Sequence, residues 1–320
     1  MNAKEEYRLF ATHERLNLFS QPWWLDAVCE SNQWNVVLAK KENKVIASMP
    51  YLLRFKFGLK YLISPPLTQT LGPCICKLDG KYINNLAQQK NIFNNLIAEL
   101  PDFDLFCQNF HYSINNWLPF YWNGFTQTTR YTYVIDSLHD LDEVWSNFKG
   151  SIRSDIRKAQ KTLKIRDDSN LDKLLDLVKM TFERQGLNIP YSTSLVHRID
   201  DACRIRESRK ILLAEDAKQR THAAIYIVWD DDSAYYLIGG GDPELRSSGA
   251  MSLLLWEAIK FSSKVTNKFD FEGSMYESIE RFFRAFGAIQ TPYFRIRKMS
   301  KRMQFCMSSR DIVKAIFSSE

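Results

Sequence analysis

Residues 268–291, KFDFEGSMYESIERFFRAFGAIQT, decide how this chain folds, because residues 105–128, LFCQNFHYSINNWLPFYWNGFTQT, repeat their pattern 163 positions earlier without a gap. Phe106 falls on Phe269, Gly124 on Gly287, and Gln127-Thr128 on Gln290-Thr291. At the same offset the helical pattern of residues 91–100, NIFNNLIAEL, lies on residues 254–263, LLWEAIKFSS. Each copy reads helix, strand, helix, glycine, strand. A motif of that size used twice is a domain used twice, which divides the chain into residues 1–136 and 137–320.

Working outward, the second half shows helical periodicity from Leu141 to Lys161 and from Leu171 to Gln185. Strands follow at KILLAED (210–216) and HAAIYIVWD (222–230), and SAYYLIGG (233–240) pairs back across the acidic turn Asp230-Asp231-Asp232. Next come a helix from Gly249, the strand KFDFEG, a helix ending before Gly287 and the strand PYFRIRK. The first half offers a helix at PWWLDAVCESN (22–32) and strands at NVVLAKK (35–41) and KVIASMPYLL (44–53). The fold class is α/β (α+β): two tandem domains, each a mixed, mostly antiparallel sheet flanked by helices.

Composition supports two cores. Of 320 residues, 45% are hydrophobic and 13% aromatic, which excludes wholesale disorder, and 12 Gly with 10 Pro exclude a low-complexity scaffold. No uncharged apolar run reaches the roughly 18 residues of a membrane span, and MNAKEEYRLFATHERLNLF has no signal-peptide core. The expectation is a cytoplasmic protein without an integral membrane segment. Cys29, Cys74, Cys76, Cys107, Cys203 and Cys306 form no CxxC pair and have no His at zinc spacing, so neither a structural metal nor a disulfide framework is expected. The five His include no i, i+4 pair, and no Ser or Cys sits in a nucleophile elbow, which argues against a hydrolase triad. A net charge of +6 suits a phosphate-rich ligand or an anionic membrane surface, and equally an ordinary soluble protein.

Three stretches carry candidate chemistry. In GGGDPELRSSGA, residues 239–250, glycines allow close backbone approach, the following helix starts with unpaired amides, and Arg246 adds positive charge. That describes an anion site, and a plain strand-to-helix turn capped by Ser247 or Ser248 has the same letters. In FDFEGSMYE, strand alternation puts Asp270 and Glu272 on one face and Phe269 and Phe271 on the other, with Ser274 and Tyr276 beyond the strand end. A carboxylate beside an apolar pocket can take a proton from an ammonium group; the structural alternative is an ion pair with Arg246 or Arg284. Finally, Lys149, Arg153, Arg157 and Lys161 recur every four residues, forming a stripe that fits CoA phosphates, an RNA backbone or lipid head groups, or else a solvated face neutralised by Asp155.

These residues carry a resemblance. Arg246-x-x-Gly249 between strand and helix resembles the pyrophosphate-binding turn of the GNAT acyltransferases, with Met251 departing from the Gly or Ala that ends their pattern. The stretches SIRSDIRKAQK, FDFEGS and IERFFRAFGA resemble the two-domain FemAB-like branch of that superfamily, over about Phe19 to Met299. The resemblance implies tandem GNAT-like domains that transfer an acyl or aminoacyl group to an amine. It implies an acyl-CoA donor such as acetyl-CoA at Gly240, Gly241, Arg246, Ser247, Ser248, Gly249 and Ala250. The expected catalytic groups are Glu272, Tyr276 and Asp270 at that strand end, and the expected substrate contacts are Arg153, Arg157, Lys161, Arg184, Tyr191 and Arg284. A small-molecule or envelope-precursor amine is the implied acceptor. An aminoacyl-tRNA donor with a cell-envelope peptide acceptor is the alternative, against which the absence of a heptad-patterned arm speaks.

One position breaks the pattern. Many GNAT enzymes place a Tyr, acting as general acid, four residues before the helix-ending Gly; here that residue is Phe283, and Phe120 in the first copy. Neither moves a proton, so a non-catalytic module binding a phosphorylated ligand or nucleic acid is a third reading.

Overall fold

The computed structural model describes residues 1–30, 33–167, 170–273 and 275–308. The chain forms two units: Met1–Arg130 together with the chain from Pro292 onward, and Tyr131–Thr291.

In the first unit, helices α1 (Ala3–His13) and α2 (Pro22–Val28) precede strands β1 (Trp34–Lys41), β2 (Lys44–Lys56), β3 (Leu59–Ile63) and the short β4 (Cys74–Ile75). Helix α3 (Tyr82–Ala98), strand β5 (Leu105–Asn109), helix α4 (Leu118–Trp122) and strand β6 (Thr126–Ile135) follow, β6 running on into the second unit. Strands β1, β2 and β3 pair antiparallel in sequence, whereas β3 pairs with β5 in parallel because α3 carries the chain back. Phe93, Phe106, Phe110, Phe120 and Phe125 fill the core beside this sheet.

The second unit repeats this order. It contains α5 (Leu141–Asn147), α6 (Gly150–Gln160), β7 (Leu163–Asp167), α7 (Leu171–Arg184), α8 (Thr193–Arg204), β8 (Arg209–Asp216), β9 (Thr221–Trp229) and β10 (Ser233–Gly241). Then come α9 (Ala250–Ser262), β11 (Lys268–Asp270) and α10 (Glu277–Arg284), after which β12 (Ile289–Met299) returns the chain to the first unit, where α11 (Lys301–Ser308) is last. Strands β7, β8, β9 and β10 pair antiparallel, and β10 pairs with β11 in parallel. The repeat is visible in three dimensions. β5 and β11 begin 163 residues apart, as do β6 and β12, and the glycines before the last two, Gly124 and Gly287, have φ of 76° and 70°.

Several expectations change. The helix read from Leu141 to Lys161 is two helices, because Phe148 turns extended (φ −65°, ψ 140°) to bury its ring and the Lys149 amide donates to Ala285 O at 2.8 Å. The helix read through residues 22–32 ends at Val28; Ser31 and Asn32 lie outside the described residues. The final strand groups with the first unit rather than closing the second. Its residues Arg295–Met299 pair with β5, and Ile296 is buried in the first unit's core.

Candidate active site

Strands β10 and β11 share only the pairs Ser233–Lys268, Ala234–Phe269 and Tyr235–Asp270. Beyond Tyr235, β10 continues to Gly241 bonded to β9 alone among the described residues, and a bulge between Tyr236 and Ile238 reverses which face its side chains take. The two parallel strands therefore separate, opening the sheet at its C-terminal end, where ligands of open α/β sheets bind.

The carboxylates lie at that opening. Asp270, 3% exposed, accepts hydrogen bonds from Thr132 Oγ1 and, at 2.7 Å, from the Glu272 amide. Burial raises its carboxyl to about 6 against the lowering effect of those bonds. Alternation stops after Phe271, because Glu272 and Gly273 take φ of 56° and 55°. A side chain at 273 would strike Tyr131 O and Thr132 Cα, so only glycine fits there. Glu272 holds a conformation that non-glycine residues seldom adopt, and its Oε1 is out of contact with solvent and has no hydrogen-bond partner among the described residues. Burial and, second, Asp270 push its carboxyl well above the ordinary range. No described ion pair joins either carboxylate to Arg246 or Arg284; Arg284 Nε instead meets Glu280 Oε1 at 2.7 Å.

Tyr236, which the sequence did not single out, lies one residue beyond the last β10–β11 pair. Tyr236 packs its ring edge-on against Phe283 at 6.0 Å between centroids, and Phe283 lies 5.0 Å from Phe271, the neighbour of Glu272. The Tyr236 hydroxyl donates to Met251 Sδ at 3.8 Å, and a side chain on Gly239 would collide with it. Burial and then Tyr191 raise its pKa, keeping it protonated at neutral pH, while burial pushes Tyr191 up to about 12. The available signal was Tyr236 three residues before a run of three glycines.

The glycine loop divides in role. Gly240 is pressed against the α7 backbone at Leu177 and Val178, and the Gly241 amide donates to Thr181 Oγ1 at 3.0 Å, so both serve packing against α7. Gly249 (φ 77°) starts α9 against α6, where a side chain would come 2.6 Å from Asp155 O. The Ala250 amide already donates to Ser248 Oγ, at 3.4 Å. Arg246 and Ser247 are exposed beside this helix start, and Lys158 Nζ reaches Ser247 O at 3.4 Å. Met251 fills the place where the GNAT turn has a small residue, and it lies against Tyr236.

The basic stripe is not one free surface. Arg153 donates to Ser146 O at 3.0 Å and Arg157 stacks over Trp145, 5.7 Å from the ring centroid; Lys161 is exposed just after α6. Arg184 is exposed at the end of α7, and Tyr276, 72% exposed, precedes α10. Ser274 lies outside the described residues. Among the described residues no group of three His, Cys, Asp or Glu is arranged to hold a metal, and no helix is long and apolar enough to cross a membrane.

Residues 146–274 match the family model described as acetyltransferase (GNAT) domain. The second unit carries a GNAT domain. Over its length the chain has the FemAB-like, tandem GNAT fold, and its solved neighbours agree. The crystal structure of FemX superposes with a TM-score of 0.67 at 13% identity, covering 96% of this chain and 98% of that one. The C-terminal domain of a putative lysylphosphatidylglycerol synthetase from Agrobacterium fabrum gives 0.55 at 10% identity, with 98% of both chains covered. A tandem GNAT protein from the clavulanic acid biosynthesis pathway gives 0.50 at 8% identity, covering 92% of this chain and 93% of that one. At such identities the likeness is one of fold. No curated protein sequence matches the chain. Phe283, four residues before Gly287, is core, and Tyr236 packs edge-on against it from β10.

Proposed function

We propose that this protein is an N-acyltransferase whose centre lies at the open end of β10 and β11. Glu272 accepts the proton of an incoming ammonium group. The observation that carries this reading is the Glu272 carboxylate, held in a left-handed backbone with a buried Oε1 that has no partner among the described residues. A raised carboxyl is a stronger base than a solvated one, and Asp270 beside it sustains that basicity.

The chemistry balances. The ammonium loses one proton to Glu272, the neutral amine forms a C–N bond to the donor carbonyl, and the bond to the leaving sulfur or oxygen breaks. Tyr236, kept protonated by burial, supplies the leaving atom with its proton. An acyl-CoA fits this scheme as donor, with its phosphates beside Arg246, Ser247 and the start of α9, where the Met251 and Ser252 amides lack helical partners. Met251 and the closure of Gly249 by α6 leave less room than a GNAT pyrophosphate turn has, and this favours a second reading, an aminoacyl-tRNA donor lying along the cations of α6. The acceptor is an amine, a small molecule or an envelope precursor.

The test offers purified protein radiolabelled acetyl-CoA and, separately, charged tRNA, with a panel of amines. Transfer from acetyl-CoA supports the first reading and transfer from tRNA alone supports the second. Tight binding of either donor with no transfer to any amine would leave the non-catalytic module.

A further inference from the structure

Strands β2 and β3 of the first unit are joined by a two-residue turn, Phe57-Gly58, with Lys56 paired to Leu59. Both turn residues have positive φ, 53° and 71°. Tight hairpins want that conformation, and Asn, Asp or Gly normally supply it. A phenylalanine there is backbone strain for which the fold offers no compensation, because the ring of Phe57 is 66% exposed. Phe55, two residues back, is equally exposed. Two aromatic rings thus stand in water at the apex of a hairpin, one of them in a conformation its residue type disfavours.

Cations cluster around them. Arg54, Lys56, Lys60, Lys301 and Arg302 are all exposed, and Lys56 Nζ lies 5.5 Å from the centroid of the Phe57 ring. Helix α11 belongs to the same surface: Met303 is buried with Leu59 and Tyr61, and Arg302 lies against Gly58. Phe305, on the same helix, is 82% exposed. The acid on this side is Asp104, which accepts from the Lys60 amide and from Ser300 Oγ, each at 2.9 Å, and its carboxyl is held low by those bonds and by Arg302 and Lys60.

We propose that the β2–β3 hairpin and α11 dock this protein on the surface of a bilayer containing anionic lipid, with Phe55 and Phe57 entering the interface and the cations meeting the head groups. Aromatic rings with adjacent Lys and Arg are the residue set that membrane interfaces select. An apex suits that role. A hairpin tip enters a bilayer readily, but as a convex point it offers no groove for a peptide and no platform on which successive bases could stack. Docking does not depend on the chemistry at Glu272, which lies in the other unit.

The experiment is co-sedimentation of the full chain with vesicles of phosphatidylcholine mixed with phosphatidylglycerol, and with vesicles of phosphatidylcholine alone. Binding to the mixed vesicles is expected, and far less to the neutral ones. The double variant F55S/F57N should bind roughly tenfold more weakly. Its melting temperature should not fall, since Asn accepts the positive φ that Phe resists. Lys56→Glu and Lys60→Glu should each weaken binding roughly fivefold or more. Parent protein that stays in the supernatant with both vesicles overturns the proposal, and so does F55S/F57N binding like the parent. RNA duplex binding that the same Phe variant abolishes, with vesicles ignored, also overturns it.

Discussion

Cys107-Gln108-Asn109 in the first unit and Asp270-Phe271-Glu272 in the second sit 163 residues apart at the end of the same strand of the same motif. Their polar groups are treated in opposite ways. Asn109 Nδ2 donates to Gln69 O at 3.0 Å and its Oδ1 receives Arg295 Nε at 3.3 Å, so its side-chain amide is used up in holding a loop and a strand. Glu272 has no such partner on Oε1 among the described residues, and its strand end is bent by two successive left-handed residues. The connection before each strand differs too. From β10 to α9 the chain takes the short path 242–249 through Arg246, whereas from β3 to α3 it runs through 64–81. A duplicated fold therefore carries one strand end finished as structure and one left chemically open.

The largest expected effect tests that difference directly. Glu272→Gln keeps shape and removes the proton acceptor, so kcat should fall by about 100-fold or more with the binding of donor little changed. The matching change in the other unit, Asn109→Asp, should leave turnover at the parent rate. Steady-state kinetics on both variants, with whichever donor is used, reads the contrast. Parent turnover in Glu272→Gln would mean that the open strand end is not the centre.

The next effect concerns the paired glycines that close the motif. Gly124 and Gly287 share the left-handed backbone, but their surroundings differ. A side chain at 287 would come 2.8 Å from Asn147 Cβ and O, whereas at 124 the nearest atom is Lys298 Cε at 3.9 Å. Gly124→Ala should cost about 1 kcal/mol, the price of positive φ alone. Gly287→Ala adds a backbone collision and should cost about 3 kcal/mol. Urea unfolding of the two variants measures the gap, and equal losses would show that Asn147 yields freely.

How much of this was legible in the sequence follows from the range of the forces involved. The repeat, the strand and helix order and the glycine before each last strand were readable because they rest on local periodicity and on one residue type with one conformational use. Helix α8 has no counterpart in the sequence reading, although Ser192 caps it and Leu195, Val196, Ile199 and Cys203 fall on one buried face. Which unit takes the final strand was not readable, since Ile296 is apolar enough for either core and pairing is a long-range outcome. The same limit applies to the candidate site. Asp270 and Glu272 were legible as residue types on one strand, but the left-handed turn at 272 goes with the close approach of β6 to Gly273, which local pattern does not show.

The smallest effect sharpens the comparison through pH, because only the second unit puts a carboxylate on this strand. Asp270 titrates near 6 when folded and near the ordinary value of 3.8 when unfolded. Between those values the folded chain holds a proton that the unfolded chain has released. The contribution of this group to stability is therefore fully present below about pH 4 and is lost as pH rises through 6, on the order of 3 kcal/mol in all. Glu272, raised by burial and by Asp270, extends the loss in the same direction at higher pH. Carboxylates held low, such as Asp104 and Glu280, act with the opposite sign, but their window lies below pH 5. Unfolding free energies taken from pH 5 to 7.5 should thus decline in the parent and decline less steeply in Asp270→Asn, which keeps the acceptor for Thr132 and cannot ionise. The first unit gives the control: Cys107→Ser, at the matching position, should leave the slope of the parent unaltered. Parallel slopes for the parent and Asp270→Asn would show that Asp270 is already ionised in the folded chain at pH 5, against the raise that burial gives it.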